Sequence, residues 1–171
     1  LLIKNIGSVF TGDMEDPILE GPVSVLITEG KITSIEKGDG GAAAKVIDAS
    51  LMTLAPGLVD SHTHPVFGDF TPRQNMVGFI DSSLHGGVTS MISAGEVHLP
   101  GRPKDPKSAK ALALLAKRCF DNARPSGVKV HAGALILEKG LKEEDFKELS
   151  EDGVWLVGEN PIAALFAVTS G

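Results

Sequence analysis

A single cysteine, Cys119, in 171 residues excludes a disulfide framework within the chain. No apolar stretch reaches the ~18 residues a membrane span needs. Long runs of like charge and internal repeats are also absent, which argues against charged tails and solenoids. The acidic balance, 16 Lys and Arg against 22 Asp and Glu for a net charge of -6, argues against nucleic acid, whose binders usually show a basic patch. The opening Leu1-Leu2-Ile3-Lys4-Asn5 has no basic region followed by a cleavage pattern, so no signal peptide is expected. It also has no initiator Met, which places the expected start upstream. Apolar residues make up 42% and charged residues 22%, the proportions of a soluble globular chain about one domain long. These features together predict a cytoplasmic protein.

The first 52 residues read as a β module. Residues 2–10, 23–27, 32–35 and 46–49 are short apolar or alternating segments, and Glu29-Gly30-Lys31 marks a tight turn between two of them. From residue 53 the rhythm changes. Strands are expected at 53–60, 88–93, 128–137 and 154–157. Helices are expected at 72–85, at 108–123 with Ser108 as cap and Leu112, Leu115 and Cys119 on the packed face, and at 141–150. Such alternation predicts parallel β/α units. A closed (β/α)8 barrel takes about 250 residues, so residues 53–159 read as the first half of one, roughly four units.

The segment richest in chemistry is Pro56-Gly57-Leu58-Val59-Asp60-Ser61-His62-Thr63-His64. Side chains two apart on a strand share a face, so His62 and His64 are expected to project side by side. Neutral imidazole is the commonest metal ligand, and the carboxyl end of a barrel strand is where such barrels place their active sites. A bare His-x-His also fits two solvent-facing loop histidines; the apolar strand and Pro-Gly entry before it favour the metal reading.

This motif resembles the signature of the amidohydrolase superfamily, and Gly86-Gly87-Val88-Thr89-Ser90 resembles that family's entry into its second barrel strand. The run from Thr71 through Ala94-Gly95-Glu96-Val97-His98-Leu99-Pro100-Gly101-Arg102-Pro103 is similar to the enamidase branch. The resemblance covers residues 1 to about 159. It implies a (β/α)8 TIM barrel with a small amino-terminal β-sandwich portion, and hydrolysis of a cyclic amide C–N bond by metal-activated water. The implied cofactor is a divalent metal, as a binuclear site with zinc or iron. Imidazolonepropionase-like and dihydroorotase-like cyclic amidases are the alternatives, as is a non-catalytic half-barrel that self-associates. The implied partners are a small cyclic amide and further copies of the chain, with no nucleic acid and no membrane.

The resemblance assigns His62 and His64 to the first metal. Many members bridge their two metals with a carbamylated lysine at the end of strand four; here Val154-Trp155-Leu156-Val157-Gly158-Glu159 ends in a glutamate, which the resemblance makes a bridging ligand. The other reading of Glu159 is an exposed strand end. His98 and Arg102, in the loop after the second barrel strand, are candidate substrate contacts, with a solvated loop as the alternative. His131 reads as a hydrogen-bonded core histidine, His85 as a helix cap, Cys119 as packing, and Glu143, Glu144 and Asp145 as complements to a helix dipole. The family's later histidines and its general-base aspartate cannot be located. Residues 160–171 instead resemble the end of the family's barrel, so a segment is expected to be missing between Glu159 and Asn160.

Overall fold

The structure, a computed structural model of the full chain, describes residues 1–65, 76–95 and 102–158. They form two compact units, Leu1–Pro56 and Gly57–Gly171. Residues 160–171, and with them the junction after Glu159, lie outside the described residues.

The first unit is a five-stranded sheet. Strands β1 (Leu2–Phe10), β2 (Ile18–Thr28) and β3 (Lys31–Lys37) pair antiparallel in series. The β2–β3 turn has positive φ at both Glu29 (53°) and Gly30 (75°), the conformation that lets a two-residue hairpin follow the strand twist. Strands β4 (Val46–Asp48) and β5 (Thr53–Leu54) both run parallel to β1. The module is therefore more than a set of hairpins. Its core is Ile6, Val9, Val23, Val25 and Ala49.

The expected strand at 53–60 is divided. Thr53 and Leu54 belong to the first sheet, while β6 (Leu58–Thr63) opens the second unit. The break is chemical: Pro56 lacks a backbone N–H for a ladder, and Gly57 is pressed so close to the next strand that a Cβ would lie 2.0 Å from Thr89 Oγ1.

In the second unit β6, β7 (Val88–Ser93) and β8 (Lys129–His131) form a parallel sheet in that order. Helix α1 (Met76–His85) links β6 to β7, and α2 (Pro106–Asn122) links β7 to β8. Helix α3 (Glu143–Glu151) leads to the segment 154–157. That fourth segment is attached by a single parallel bridge, Leu135 to Val157, with flanking backbone hydrogen bonds from Leu135 to Leu156 and from Gly158 to Leu135. It is not a full strand, and neither is the whole of 128–137.

Helix α2 departs from expectation in two ways. Its cap is Asp105, whose carboxylate accepts from the Ser108 N–H at 2.9 Å, with Pro106 in the first turn. Its packed stripe is Ala109, Ala113, Ala116 and Phe120; Leu115 is half exposed, and Leu112 and Cys119 are only partly buried. Small side chains win this face because the helix lies almost on the sheet. A Cβ at Gly133 would meet the Ala113 carbonyl at 2.9 Å. Ile80 from α1, Met91 from β7, Val130 from β8, and Val128 and Ala132 on either side of β8 complete the core beneath.

Candidate active site at the end of the parallel sheet

His62 lies within β6 and His64 directly after it. The backbone turns at this point: Asp60 Oδ1 accepts from the His62 N–H at 3.1 Å. Thr63, between the two histidines, points inward and is 3% exposed. Its hydroxyl donates to the Ile92 carbonyl at 3.1 Å, while its own carbonyl accepts from the Ala94 N–H at 2.8 Å. With Thr63 turned inward, its two neighbours are directed to the other face. The imidazole rings of His62 and His64 stand 5.3 Å apart between centroids, at 85° to each other.

His64 is further fixed. Its Nδ1 lies 3.1 Å from the Gly95 carbonyl. A carbonyl can only accept, so Nδ1 carries the proton and Nε2 keeps the lone pair, the arrangement by which backbone groups orient metal-binding histidines. Gly95 is itself held through its N–H, which donates to Ser93 Oγ at 3.2 Å; Ser93 is 4% exposed. Two buried hydroxyls, Thr63 and Ser93, thus lock the backbone that aims His64. The sequence reading missed both, because only the fold shows that these hydroxyls are buried at strand ends.

Two imidazoles sharing one divalent ion with metal–nitrogen distances of about 2.0–2.1 Å and a near-tetrahedral angle hold their centroids about 5 Å apart. The observed spacing fits such a group. Among the described residues no set of three or more His, Cys, Asp or Glu side chains gathers into a ligand cluster. Glu159, the third expected ligand, lies outside the described residues, as does His98. Gly158 is described, and it packs against the site: a Cβ there would be 2.3 Å from the Ala94 carbonyl oxygen and 2.6 Å from Gly95 Cα.

Arg102, expected to face substrate, instead forms an ion pair with Glu138 in which the two side chains are only 15% and 9% exposed. This places the guanidinium against the segment after β8. His85 Nδ1 donates to the Asp81 carbonyl at 2.8 Å on its own helix, a capping contact. His131 is half-buried with its ring 6.0 Å from that of Trp155. It makes this ring contact, rather than the hydrogen bond expected of it, among the described residues. Burial, and then Lys129 and Lys117, hold its imidazole below the usual histidine range.

Against known proteins, the chain is 51% identical over 161 residues to the enamidase of Eubacterium barkeri, covering 92% of this chain and 42% of that protein. A crystal structure of enamidase, described as a member of the amidohydrolase superfamily, superposes with a TM-score of 0.82 at 49% identity, over 93% of this chain and 42% of that one. The chain belongs to the amidohydrolase superfamily. Its parallel sheet is part of that superfamily's barrel. This amidohydrolase chain is also 31% identical over 140 residues to the dihydroorotase of Thermus aquaticus, covering 73% of the chain and 32% of the relative. Over a shorter stretch of 81 residues it is 41% identical to an imidazolonepropionase of Bacillus cereus, covering 39% and 19%. No family model matches. The chain spans less than half the length of these relatives.

Proposed function

We propose that the chain carries the first metal-binding half of a hydrolase that cleaves a cyclic amide, with a cyclic enamide as the substrate class. The observation that carries this reading is the His62–His64 pair, two imidazoles 5.3 Å apart with the second oriented by the Gly95 carbonyl. Its 51% identity to enamidase supports the substrate class over that of the dihydroorotases and imidazolonepropionases.

His62 and His64 would hold the first divalent ion. Glu159 would be the next ligand; Gly158 packs against Ala94 and Gly95, and adjacent Cα atoms are about 3.8 Å apart. Imidazole together with carboxylate oxygen suits zinc or iron, and a carboxylate has two oxygens with which to bridge a pair of ions. When bound, a divalent ion supplies Lewis acidity and lets water act as a nucleophile near neutral pH. The protein's own part is to fix the His64 tautomer through Gly95 and to seat the rings on a backbone locked by Thr63 and Ser93. His98 is proposed as a substrate contact. Arg102, engaged by Glu138, is proposed to anchor the loop that carries His98.

The test is metal content and turnover of the 171-residue chain after reconstitution with zinc or iron(II), assayed on a panel of a cyclic enamide, dihydroorotate and an imidazolone. Bound metal that is lost in both His62→Ala and His64→Ala supports the reading. Because no general base is placed, turnover by the isolated chain is expected to be slow or undetectable. Equal metal retention by wild type and both variants would overturn the assignment. A second reading, a metal-free half-barrel that self-associates, draws on the exposure of Leu58 and Val59, at 59% and 60%, on the edge strand β6.

A further inference from the structure

A second polar cleft, of about 90 Å³, lies where α2 ends and β8 begins. Lys117, Asp121 and Arg124 line it from α2 and the turn that follows, Lys129 and His131 from β8, and Trp155 from the segment after α3. Lys129 is paired in register with Ser90, and Ser90 with Val59. Lys129 therefore lies level with Val59, near the start of β6. His131, also in the lining, pairs with Ile92, one residue short of the Ser93–Thr63 pair, so the cleft runs from the level of Val59 up to that of the His62–His64 strand end, two strands across the sheet.

Its charge is opposite in sign to that of the whole chain, which is -6. Three cations face one carboxylate, and that carboxylate is already engaged: Lys117 Nζ lies 2.6 Å from Asp121 Oδ2. Arg124 and Lys129 have no ion-pair partner among the described residues. Between them the half-buried His131 offers a ring nitrogen as a further donor, and Trp155 closes one side edge-on to it. We propose that this cleft is a binding site for a small oxyanion, phosphate or carboxylate in chemistry, held by Lys129 and Arg124 with Lys117 and His131 behind them. A guanidinium fork beside ammonium groups is the combination that recognises planar or tetrahedral oxyanions. Such a ligand would sit two strands across the sheet from His62 and His64, on side chains that the metal reading does not use.

Trp155 is the sole tryptophan of the chain and reports on the cleft directly. Inorganic phosphate and, separately, acetate are titrated into the full chain at constant ionic strength while Trp155 emission is followed. The expected result is a saturable change with at least one of them. The midpoint should rise roughly tenfold in Lys129→Gln and in Arg124→Gln, each losing one charged hydrogen bond. Both side chains are exposed, so neither variant threatens folding. A response to phosphate alone assigns the site to phosphoryl ligands, and an equal response to acetate assigns it to carboxylates. An unsaturable response to both anions, or a midpoint unchanged in both variants, overturns the proposal.

Discussion

Thr63 has the same relation to its fold that His62 and His64 have to their chemistry: its side chain does one thing that no neighbour can replace. Its hydroxyl is almost fully buried and donates to the Ile92 carbonyl. Thr63→Val keeps the shape and removes the side-chain donor, one of the hydrogen bonds that tie the β6 end to β7, at about 0.5–1.5 kcal/mol. The thermal midpoint should fall, and metal affinity should fall with it because the β6 end would be held less firmly to β7. Unchanged melting by calorimetry would contradict this account. His131 gives a second prediction at the same scale, concerning pH. Its folded-state pKa is depressed by burial and then by Lys129 and Lys117, while the unfolded chain titrates near the ordinary 6.5. Between those values the unfolded state binds more protons, so stability rises with pH there. The contribution of His131 is fully present above 6.5 and is lost as pH falls through its folded value. Thermal midpoints measured from pH 8 down to pH 5 should decline less steeply in His131→Asn than in the parent, and parallel curves would refute the assignment. These residues also mark how far the sequence could be read. His62 and His64 stood out because their chemistry and i, i+2 spacing are both local. Thr63 and the Gly95 carbonyl did not, because their partners lie some 30 residues away and only the β6–β7 pairing brings them together; Ser93 matters only through Gly95, which it holds.

At the scale of elements, legibility follows the same division between local and distant causes. Strand β7 was expected at 88–93 and lies at Val88–Ser93, since Gly86-Gly87 before it and a β-branched run within it are local signals. Helix α2 was legible as a helix, but its buried face was not. Bulk suggested Leu112, Leu115 and Cys119, whereas the close approach of the helix to Gly133 selects Ala109, Ala113 and Ala116. The single strand expected at 53–60 was in fact a junction, because an apolar run carries no mark of which sheet each residue joins. That junction can be tested. Gly57→Ala puts a Cβ on the side chain of Thr89, 2.0 Å from its Oγ1, in a contact where β6 and β7 are already hydrogen-bonded through Leu58 and Gly87. The Thr89 side chain or the strand must move, at about 1–3 kcal/mol for overpacking. Amide exchange at β6 should quicken in this variant while that in β1 and β2 stays as it was, because the first sheet has its own core. Thr89→Ala in the same background should restore protection; failure of that rescue would show that the close contact does not set the β6–β7 pairing.

For the whole molecule the governing feature is apolar surface left uncovered in the second unit. Leu58 and Val59 on β6 are 59% and 60% exposed, and Trp155 and Val157 on the fourth segment are 65% and 54% exposed. Strand β6 is the outer member of its sheet among the described residues, so it presents unpaired backbone groups beside those side chains. An apolar edge of that kind is a template for association. Burying it in a second copy removes apolar area from water at about 25 cal/mol per Å². Sedimentation velocity over a range of concentrations should therefore show self-association. Val59→Lys should shift the distribution to the monomer, since an ammonium group on the edge strand opposes strand addition; its site lies outside the clusters built around Ile80 and Leu149, so the fold should be retained. A chain that is monomeric at every concentration, or a Val59→Lys variant that associates as the parent does, would remove β6 as the contact. Metal content measured on the same samples separates the two functional readings. A metal-free dimer favours a self-associating half-barrel, whereas stoichiometric metal that persists in the Val59→Lys monomer places metal binding within a single chain, as the hydrolase reading requires.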